Sequence, residues 1–280
     1  MTELSGVEFN SRFPDKRFFK LTNKEEVHNN FVFKTGLNCD VIHFNPTGEC
    51  QPGGIYFTDF EHLGKWYWYG NTLCYWYRIV TIPDDARVYV EQEKYKSDKI
   101  ILSERKSIWD DKDMCKQILQ KDARALMFVD NQTDELCKLA ISQNGLTLSY
   151  VREQTYEHCK MAVTQCGWAL RCVNNQTEEL CKLAVTQNGR ALQYVKNQTE
   201  DICKLAVTQN GRALYYVDNQ TEEICKLAVS QDGLALQCVK NQTEELCKLA
   251  VSQDGYALQF VDNQTEDICK LAMLQNRDTL

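Results

Sequence analysis

A cysteine recurs at positions 115, 137, 159, 181, 203, 225, 247 and 269, always 22 residues apart. Around it one string returns with small changes, most plainly KNQTEELCKLAVSQDGYALQFV at residues 240–261. A period this short leaves few folds open. No single copy can enclose a core, so the copies must bury their apolar faces on one another, and the predicted architecture is a solenoid.

The copy from Asp130 to Val151 shows the local logic. Asn131-Gln132-Thr133 is a turn ending in a cap: the Thr133 hydroxyl can accept from free N–H groups at a helix start, with Asp134 and Glu135 at the positive end of the dipole. Asp134 and Lys138 form an i,i+4 pair, repeated by Glu178 and Lys182. Leu136, Cys137, Leu139, Ala140 and Ile141 share one face and Glu135, Lys138 and Ser142 the other, so the first helix is amphipathic. Asn144-Gly145 is expected to end it, with Gly in the left-handed cap conformation. A shorter second helix follows with Thr147, Leu148 and Val151 inward. Gly recurs at 145, 167, 189, 211, 233 and 255, which argues against one long helix. The first copy has Ala123 and the last Arg277 at that position, as end caps should differ. The count is six complete repeats, an atypical one before them and a truncated one after. Gln143 and its counterparts 165, 187, 209, 231 and 253 fall nearly on the buried face and should bond the turn backbone of a neighbouring repeat.

Residues 1–108 carry a net charge of −1 and residues 109–280 a net charge of −6. An acidic solenoid speaks against nucleic-acid binding. No apolar run approaches a membrane span, and the first residues lack a signal-peptide core. The ladder cysteines, stacked roughly 8–10 Å apart, exceed disulfide reach of about 7 Å. They read as small buried apolar residues in a reducing, intracellular compartment. The six Asn-Gln-Thr sequons, at Asn131, Asn175, Asn197, Asn219, Asn241 and Asn263, read as turns and caps rather than glycosylation sites.

The expected fold class is an α+β N-terminal domain, residues 1–108, followed by an all-α solenoid of two-helix repeats, residues 109–280. Residues 1–17 are polar and expected to be a mobile or loosely docked lead-in. Phe18–Leu21, Phe31–Phe33, Ile55–Thr58, Leu73–Ile82, Val88–Val90 and Ile100–Leu102 read as strands, and Asp59 should cap a helix reaching Gly70. The aromatic run from Trp66 to Tyr69, with Tyr75–Tyr77, is either a ligand platform or core, and core is the reading adopted. Cys39, His43, Cys50 and His62 are spaced unlike zinc ligands, so neither metal nor cofactor is expected.

Phe19-Lys-Leu-Thr-Asn23, Gly36-Leu-Asn38, Gly53-Gly-Ile-Tyr-Phe-Thr58 and Ile82-Pro-Asp-Asp-Ala86, followed by the NQTEELCKLAV repeats, resemble the uncharacterised repeat proteins of mimivirus-type giant viruses. In that group a similar N-terminal module also precedes ankyrin repeats. The resemblance implies a constant head joined to interchangeable recognition solenoids. A second, local resemblance involves His28 and Gly53-Gly-Ile-Tyr-Phe-Thr-Asp59, which are similar to the His…Gly-x-Tyr-Phe-Ala-Asp order of ADP-ribosyltransferases of the poly(ADP-ribose) polymerase type. It implies NAD chemistry with His28 on the ribose, Tyr56 on nicotinamide, and Asp98 or Glu104 as the late acid. His28 is followed by Asn29-Asn30 where that family has Gly-Thr or Gly-Ser.

Comparing repeats within the chain separates packing positions from free ones. The first position of the second helix varies: Arg124, Leu146, Trp168, Arg190, Arg212, Leu234 and Tyr256. One turn on stand Phe128, Tyr150, Cys172, Tyr194, Tyr216, Cys238 and Phe260, never charged and so expected between repeats. The first set, with Arg171, is the expected partner surface, since Arg, Tyr and Trp dominate interface hot spots. Its centre is placed at Arg152–Val173, where Tyr156, His158 and Cys166 depart from the pattern and should weaken turn and cap. The expectation is a non-enzymatic intracellular adaptor: the solenoid grips a host or viral protein and the head engages a second partner. The alternatives are an ADP-ribosyltransferase-like, NAD-binding head targeted by the solenoid, and a structural virion component.

Overall fold

The computed structural model describes residues 2–28, 31–47 and 51–277. The chain forms two compact units, Met1–Ala140 and Ile141–Leu280. As the sequence predicts, a sheet-rich α+β region comes first and helical repeats follow.

The strands are β1 (Thr2–Ser5), β2 (Phe18–Thr22), β3 (Val27–His28), β4 (Phe31–Val32), β5 (Gly36–Cys39), β6 (Ile55–Asp59), β7 (Trp68–Tyr69), β8 (Thr72–Leu73), β9 (Trp76–Thr81), β10 (Arg87–Val90), β11 (Tyr95–Ser97), β12 (Lys99–Leu102) and β13 (Lys106–Ser107). The main sheet runs β1-β10-β11-β6-β2-β9-β12-β5, with β13 also on β9; β3-β4 and β7-β8 are separate hairpins. Phe9, Phe18, Phe57, Val80, Val88 and Tyr95 belong to the core against one face.

The first residues are not the loose lead-in their polarity suggests. β1 pairs with β10 from Thr2↔Val90 to Ser5↔Arg87. Ser5 then caps helix α1 (Gly6–Arg12) in a full capping box with Glu8. Apolar side chains anchor this segment: Phe9, 1% exposed, sits edge-on to Phe57 and Tyr95, and Leu4 and Phe13 pack on the same core. Asp59 caps as expected, its carboxylate accepting from His62 N–H, but over a 3-10 turn (Phe60–His62) and a single turn of helix α2 (Leu63–Trp66). The alternating Trp-Tyr-Trp-Tyr run leaves the helix after Trp66. Gly70 and Asn71, both at positive φ, make the two-residue turn between β7 and β8.

The helices of the repeats are α3 (Lys112–Leu119), α4 (Asp134–Gln143), α5 (Tyr156–Gln165), α6 (Glu178–Gln187), α7 (Glu200–Gln209), α8 (Glu222–Gln231), α9 (Glu244–Gln253) and α10 (Glu266–Arg277). Helices α3 to α9 are each followed by a six-residue 3-10 helix, from Ala123–Phe128 to Gly255–Phe260. The first pair belongs to the same compact unit as the sheet: Tyr77 and Tyr67 donate to the cap carboxylates of Asp111 and Asp122, at 2.7 and 2.8 Å. Thr133, Thr155, Thr177, Thr199, Thr221, Thr243 and Thr265 each accept from the N–H three residues on, as the cap reading requires. The i,i+4 pairs form from Asp134–Lys138 to Glu266–Lys270 except in α5, where Tyr156 takes the acidic position. Several lysines also reach the next repeat: Lys204 is 3.0 Å from Glu200 and 2.8 Å from Glu223.

The repeat glycines are conserved within the chain for a reason other than the one expected. None of them is at positive φ; the preceding Asn or Asp, or Cys166 before Gly167, is extended, and Gly opens the 3-10 helix. Space is what decides. A Cβ on Gly145, Gly167, Gly189, Gly211 or Gly233 would stand 2.4–2.7 Å from the carbonyl oxygen of Ala162, Ala184, Ala206, Ala228 or Ala250 in the next repeat. The close approach is fastened by the recurrent glutamine. Gly167, Gly189 and Gly211 N–H donate to the amide oxygens of Gln187, Gln209 and Gln231 at 2.6, 2.6 and 2.5 Å, and Gly145 does the same to Gln165. The Gln residues are largely exposed, yet their amide oxygens satisfy N–H groups of buried glycines. Gln209→Ala orphans the Gly189 N–H, and thermal or denaturant melts should show a loss of about 1–3 kcal/mol.

Cysteines 115, 137, 159, 181, 203, 225 and 247 are free and buried. Burial pushes their thiols up, that of Cys115 to about 12. Most are also more than apolar filler. Cys181, Cys203 and Cys247 donate to Gln176, Gln198 and Gln242 at 3.7, 3.4 and 3.4 Å. These glutamines, central in Asn-Gln-Thr, staple neighbouring repeats: Gln176 Nε2 donates to Tyr194 O at 2.8 Å while its Oε1 accepts from Lys196 N–H at 3.0 Å. A turn motif hides that role in the sequence. A maleimide should leave Cys181, Cys203 and Cys225 unlabelled in folded protein and label them after denaturation; rapid labelling of folded protein would contradict their burial.

Candidate functional site

Two places concentrate chemistry beyond what folding needs. In the sheet domain, β2 pairs with β9 over all five of its residues but with β6 only at Phe18↔Asp59 and Phe19↔Thr58. The rest of β6 pairs with β11, Ile55↔Ser97 to Phe57↔Tyr95. The two strands therefore part after Phe19, and a cleft of about 850 Å³ opens between Lys20–Thr22 and Ile55–Phe57. His28, Trp66 and Tyr69 line it too. The loop at Gly53 and Gly54 has φ of +89° and +130°. Asp40 fastens that loop, accepting from Gly54 N–H at 2.6 Å and Ile42 N–H at 3.0 Å. A Cβ on Gly54 would meet Lys96 Cγ at 2.8 Å.

The cleft is rich in cations. Lys20 is 5% exposed; its ammonium donates to Tyr56 O at 2.9 Å and stands 4.4 Å from the Phe33 ring centre. Burial pulls its pKa down to about 8. Burial, then the Lys20 charge, also lowers His28. Lys94 and Lys96 stand 4.7 and 5.0 Å from the Tyr56 ring centre, within cation–π range. Lys96, fully buried, is held by the carbonyls of Asn45 and Gln51 at 2.8 and 2.9 Å. Of the residues implied by the transferase resemblance, His28 and Tyr56 line this one cleft. Asp98 does not: its carboxylate accepts from Arg87 N–H at 2.9 Å. The aromatic run divides. Tyr67 and Tyr77 are core, while Trp66 and Tyr69 line the cleft.

Among the described residues, Asp59, Glu61 and His62 could approach a metal ion together. Asp59 is already committed, with Lys16 at 2.7 Å, His62 Nδ1 at 2.6 Å and Tyr95 at 3.0 Å, and these partners hold its pKa down against burial. Cys50, one of the four residues weighed as zinc ligands, lies outside the described residues.

The second place is the variable stripe. A 3-10 helix has three residues per turn, so positions i and i+3 share a face, not i and i+4 as an α-helix would give. Leu146 therefore pairs with Ser149, Trp168 with Arg171, Arg190 with Gln193, Arg212 with Tyr215, Leu234 with Gln237 and Tyr256 with Gln259. Gln193, Gln237 and Gln259 donate back to the carbonyls of Arg190, Leu234 and Tyr256 at 3.0–3.1 Å. In the second compact unit Arg190, Arg212 and Tyr256 are exposed, and Leu146, Trp168 and Leu234 are half-buried. In the first unit Arg124 is exposed and bound to Asp122. Trp168 stands edge-on to Tyr194 at 5.7 Å, and Arg212 pairs with Asp232 at 2.9 Å. Tyr150, Cys172, Tyr194, Tyr216, Cys238 and Phe260 are half-buried. Reading the second helix as α hides Tyr215, 72% exposed and comparable to Tyr256 at 70%. A three-residue period would have found it.

The divergent repeat keeps its cap. Thr155 accepts from His158 N–H while His158 Nδ1 accepts from Thr155 N–H, a complete capping box. What it gives up is the next turn: Cys166 makes no side-chain cap, whereas Asn144, Asn188 and Asp232 each accept from the N–H two residues on.

Residues 177–221, 199–243 and 221–265 match a family described as a domain of unknown function, DUF4116, in three overlapping frames one repeat apart. A protein of Acanthamoeba polyphaga mimivirus named "Uncharacterized protein R869" is 33% identical over 92 residues, 32% of this chain and 67% of that one. Two others from the same virus, named "Putative ankyrin repeat protein R868" and "Putative ankyrin repeat protein R896", are each 32% identical, over 104 and 93 residues. Those alignments take in 36% and 31% of this chain but only 52% and 27% of the relatives. No solved structure matches.

Proposed function

Because the chain belongs to the repeat proteins of mimivirus-type giant viruses, we propose that it is a non-enzymatic adaptor whose repeats hold a host or viral protein while the sheet domain engages a second partner. The observation that carries this reading is the 3-10 face. Near-identical scaffolding presents side chains that change from repeat to repeat, the arrangement by which repeat proteins vary recognition without altering the fold. The names of the ankyrin-repeat relatives point the same way. Among the described residues no helix is long and apolar enough to cross a membrane.

Within the second compact unit the contact surface is Leu146, Trp168, Arg171, Arg190, Arg212, Leu234 and Tyr256, with Tyr215 added; in the first unit the corresponding position, Arg124, is proposed to take part by itself. Its centre is the Arg152–Val173 repeat, where Trp168 shares its 3-10 face with Arg171 and is followed at the same position of the next repeat by Arg190. Trp168→Ala with Arg190→Ala should weaken capture of the partner from infected host cells by at least ~2 kcal/mol, roughly thirtyfold, while the helical circular-dichroism signal stays intact. Full capture by the double variant would refute the surface. A second reading is favoured by His28 and Tyr56 lining one cleft: an NAD-binding, ADP-ribosyltransferase-like head. Titration with NAD, followed for nicotinamide release, separates it from the first. Abundance in purified particles tests a role as a virion component.

A further inference from the structure

We propose that the cleft between β2 and β6 binds a planar aromatic anion of nucleotide size, its anionic group on Lys20 and Thr22 and its ring among Tyr56, Trp66 and Tyr69. The argument is independent of the solenoid's role. Among the described residues that line the cleft, Lys20 is the lysine whose ammonium is both deeply buried and short of oxygen partners. It has three donors, and among the described residues they meet one oxygen, Tyr56 O at 2.9 Å, with the Phe33 face at 4.4 Å. No carboxylate of the described residues pairs with it. Lys96 by contrast has two carbonyls, and Lys94 has Glu91 at 3.5 Å.

Thr22 follows Lys20 by two residues on the same strand, so both side chains leave β2 on one face. Its hydroxyl oxygen is buried and has no hydrogen-bond partner among the described residues, and Thr22 and Lys20 both line the cleft. An underused ammonium beside an unpartnered hydroxyl in one cavity is a costly arrangement when empty. An anion accepting from both resolves it. The walls supply the rest: the Tyr56 ring, faced by Lys94 and Lys96, and the Trp66–Tyr69 pair, whose ring centres are 6.0 Å apart. Such surfaces suit a flat π-system. A carboxylate or a phosphate would serve as the anion, and the volume of about 850 Å³ admits a nucleoside monophosphate.

Calorimetric titration of the full chain at pH 7 with AMP, salicylate, adenosine and inorganic phosphate tests this. AMP and salicylate should bind, with adenosine at least tenfold weaker than AMP. Lys20→Met should weaken AMP at least tenfold and Thr22→Val at least threefold, with unchanged circular dichroism. AMP should also protect Lys20 from acetic anhydride, read by mass spectrometry, which requires no variant to fold. The proposal is overturned if neither aromatic anion binds at millimolar concentration, if adenosine or phosphate binds as tightly as AMP, or if AMP leaves Lys20 acetylation unchanged.

Discussion

Gly211→Ala is expected to destabilise the repeats by about 3–5 kcal/mol. The new methyl would lie 2.5 Å from Ala228 O and 2.9 Å from Gln231 Oε1. The first contact is backbone of a packed helix and cannot rotate away. Separating the repeats far enough to relieve it would lengthen the 2.5 Å bond from Gly211 N–H to Gln231 and strip contact from Leu214 and Val229, both buried. Gly70→Ala provides the contrast. Gly70 has φ +57° and nothing within 4 Å of a built Cβ, so only backbone strain of about 1–2 kcal/mol is expected there. If denaturant melts rank Gly70→Ala as the more damaging, the close-approach account of the repeat glycines fails.

Lys20→Met should stabilise the protein by about 2 kcal/mol at pH 7. Burial takes the Lys20 pKa down to about 8, against about 10.4 in an unfolded chain. Below pH 8 both states are protonated, and the folded state carries the full cost of a buried charge. Between about pH 8 and 10.4 the folded lysine releases its proton while the unfolded one keeps it, so wild-type stability rises with pH relative to the variant. The shift corresponds to about 3 kcal/mol, from which the lost bond to Tyr56 O removes about 1 kcal/mol. Stability profiles of the two proteins should thus converge as pH climbs from 8 towards 10. A variant less stable than wild type at pH 7, with parallel profiles, would mean that the lysine is held by a counter-charge.

The readable parts of this chain were those that depend on neighbours in sequence. The 22-residue period, the threonine caps and the Glu–Lys pairs act within one helix or its flanks, and the repeats are as the string implies. For the glycines, periodicity reveals that Gly is required and not whether φ or a facing carbonyl requires it. The 3-10 winding of the second helix was also invisible, and with it Tyr215. In the sheet domain the losses are longer in range. β1 and β11 are short and polar, and their place depends on strands far along the chain. Lys20, in Phe-Phe-Lys-Leu-Thr, reads as an outward lysine on an amphipathic strand. It is buried against Tyr56 and Phe33, residues well removed along the chain, and no local pattern encodes those contacts.

The central claim is that the variable 3-10 face, and not the helical face, meets a protein. A photoreactive benzoylphenylalanine placed at position 234, within that face, should cross-link to one discrete protein in infected host cells. The same probe at Leu205, 39% exposed on α7, should not. Cross-linking of the same protein from position 205 alone, or equally from both positions, would contradict the assignment.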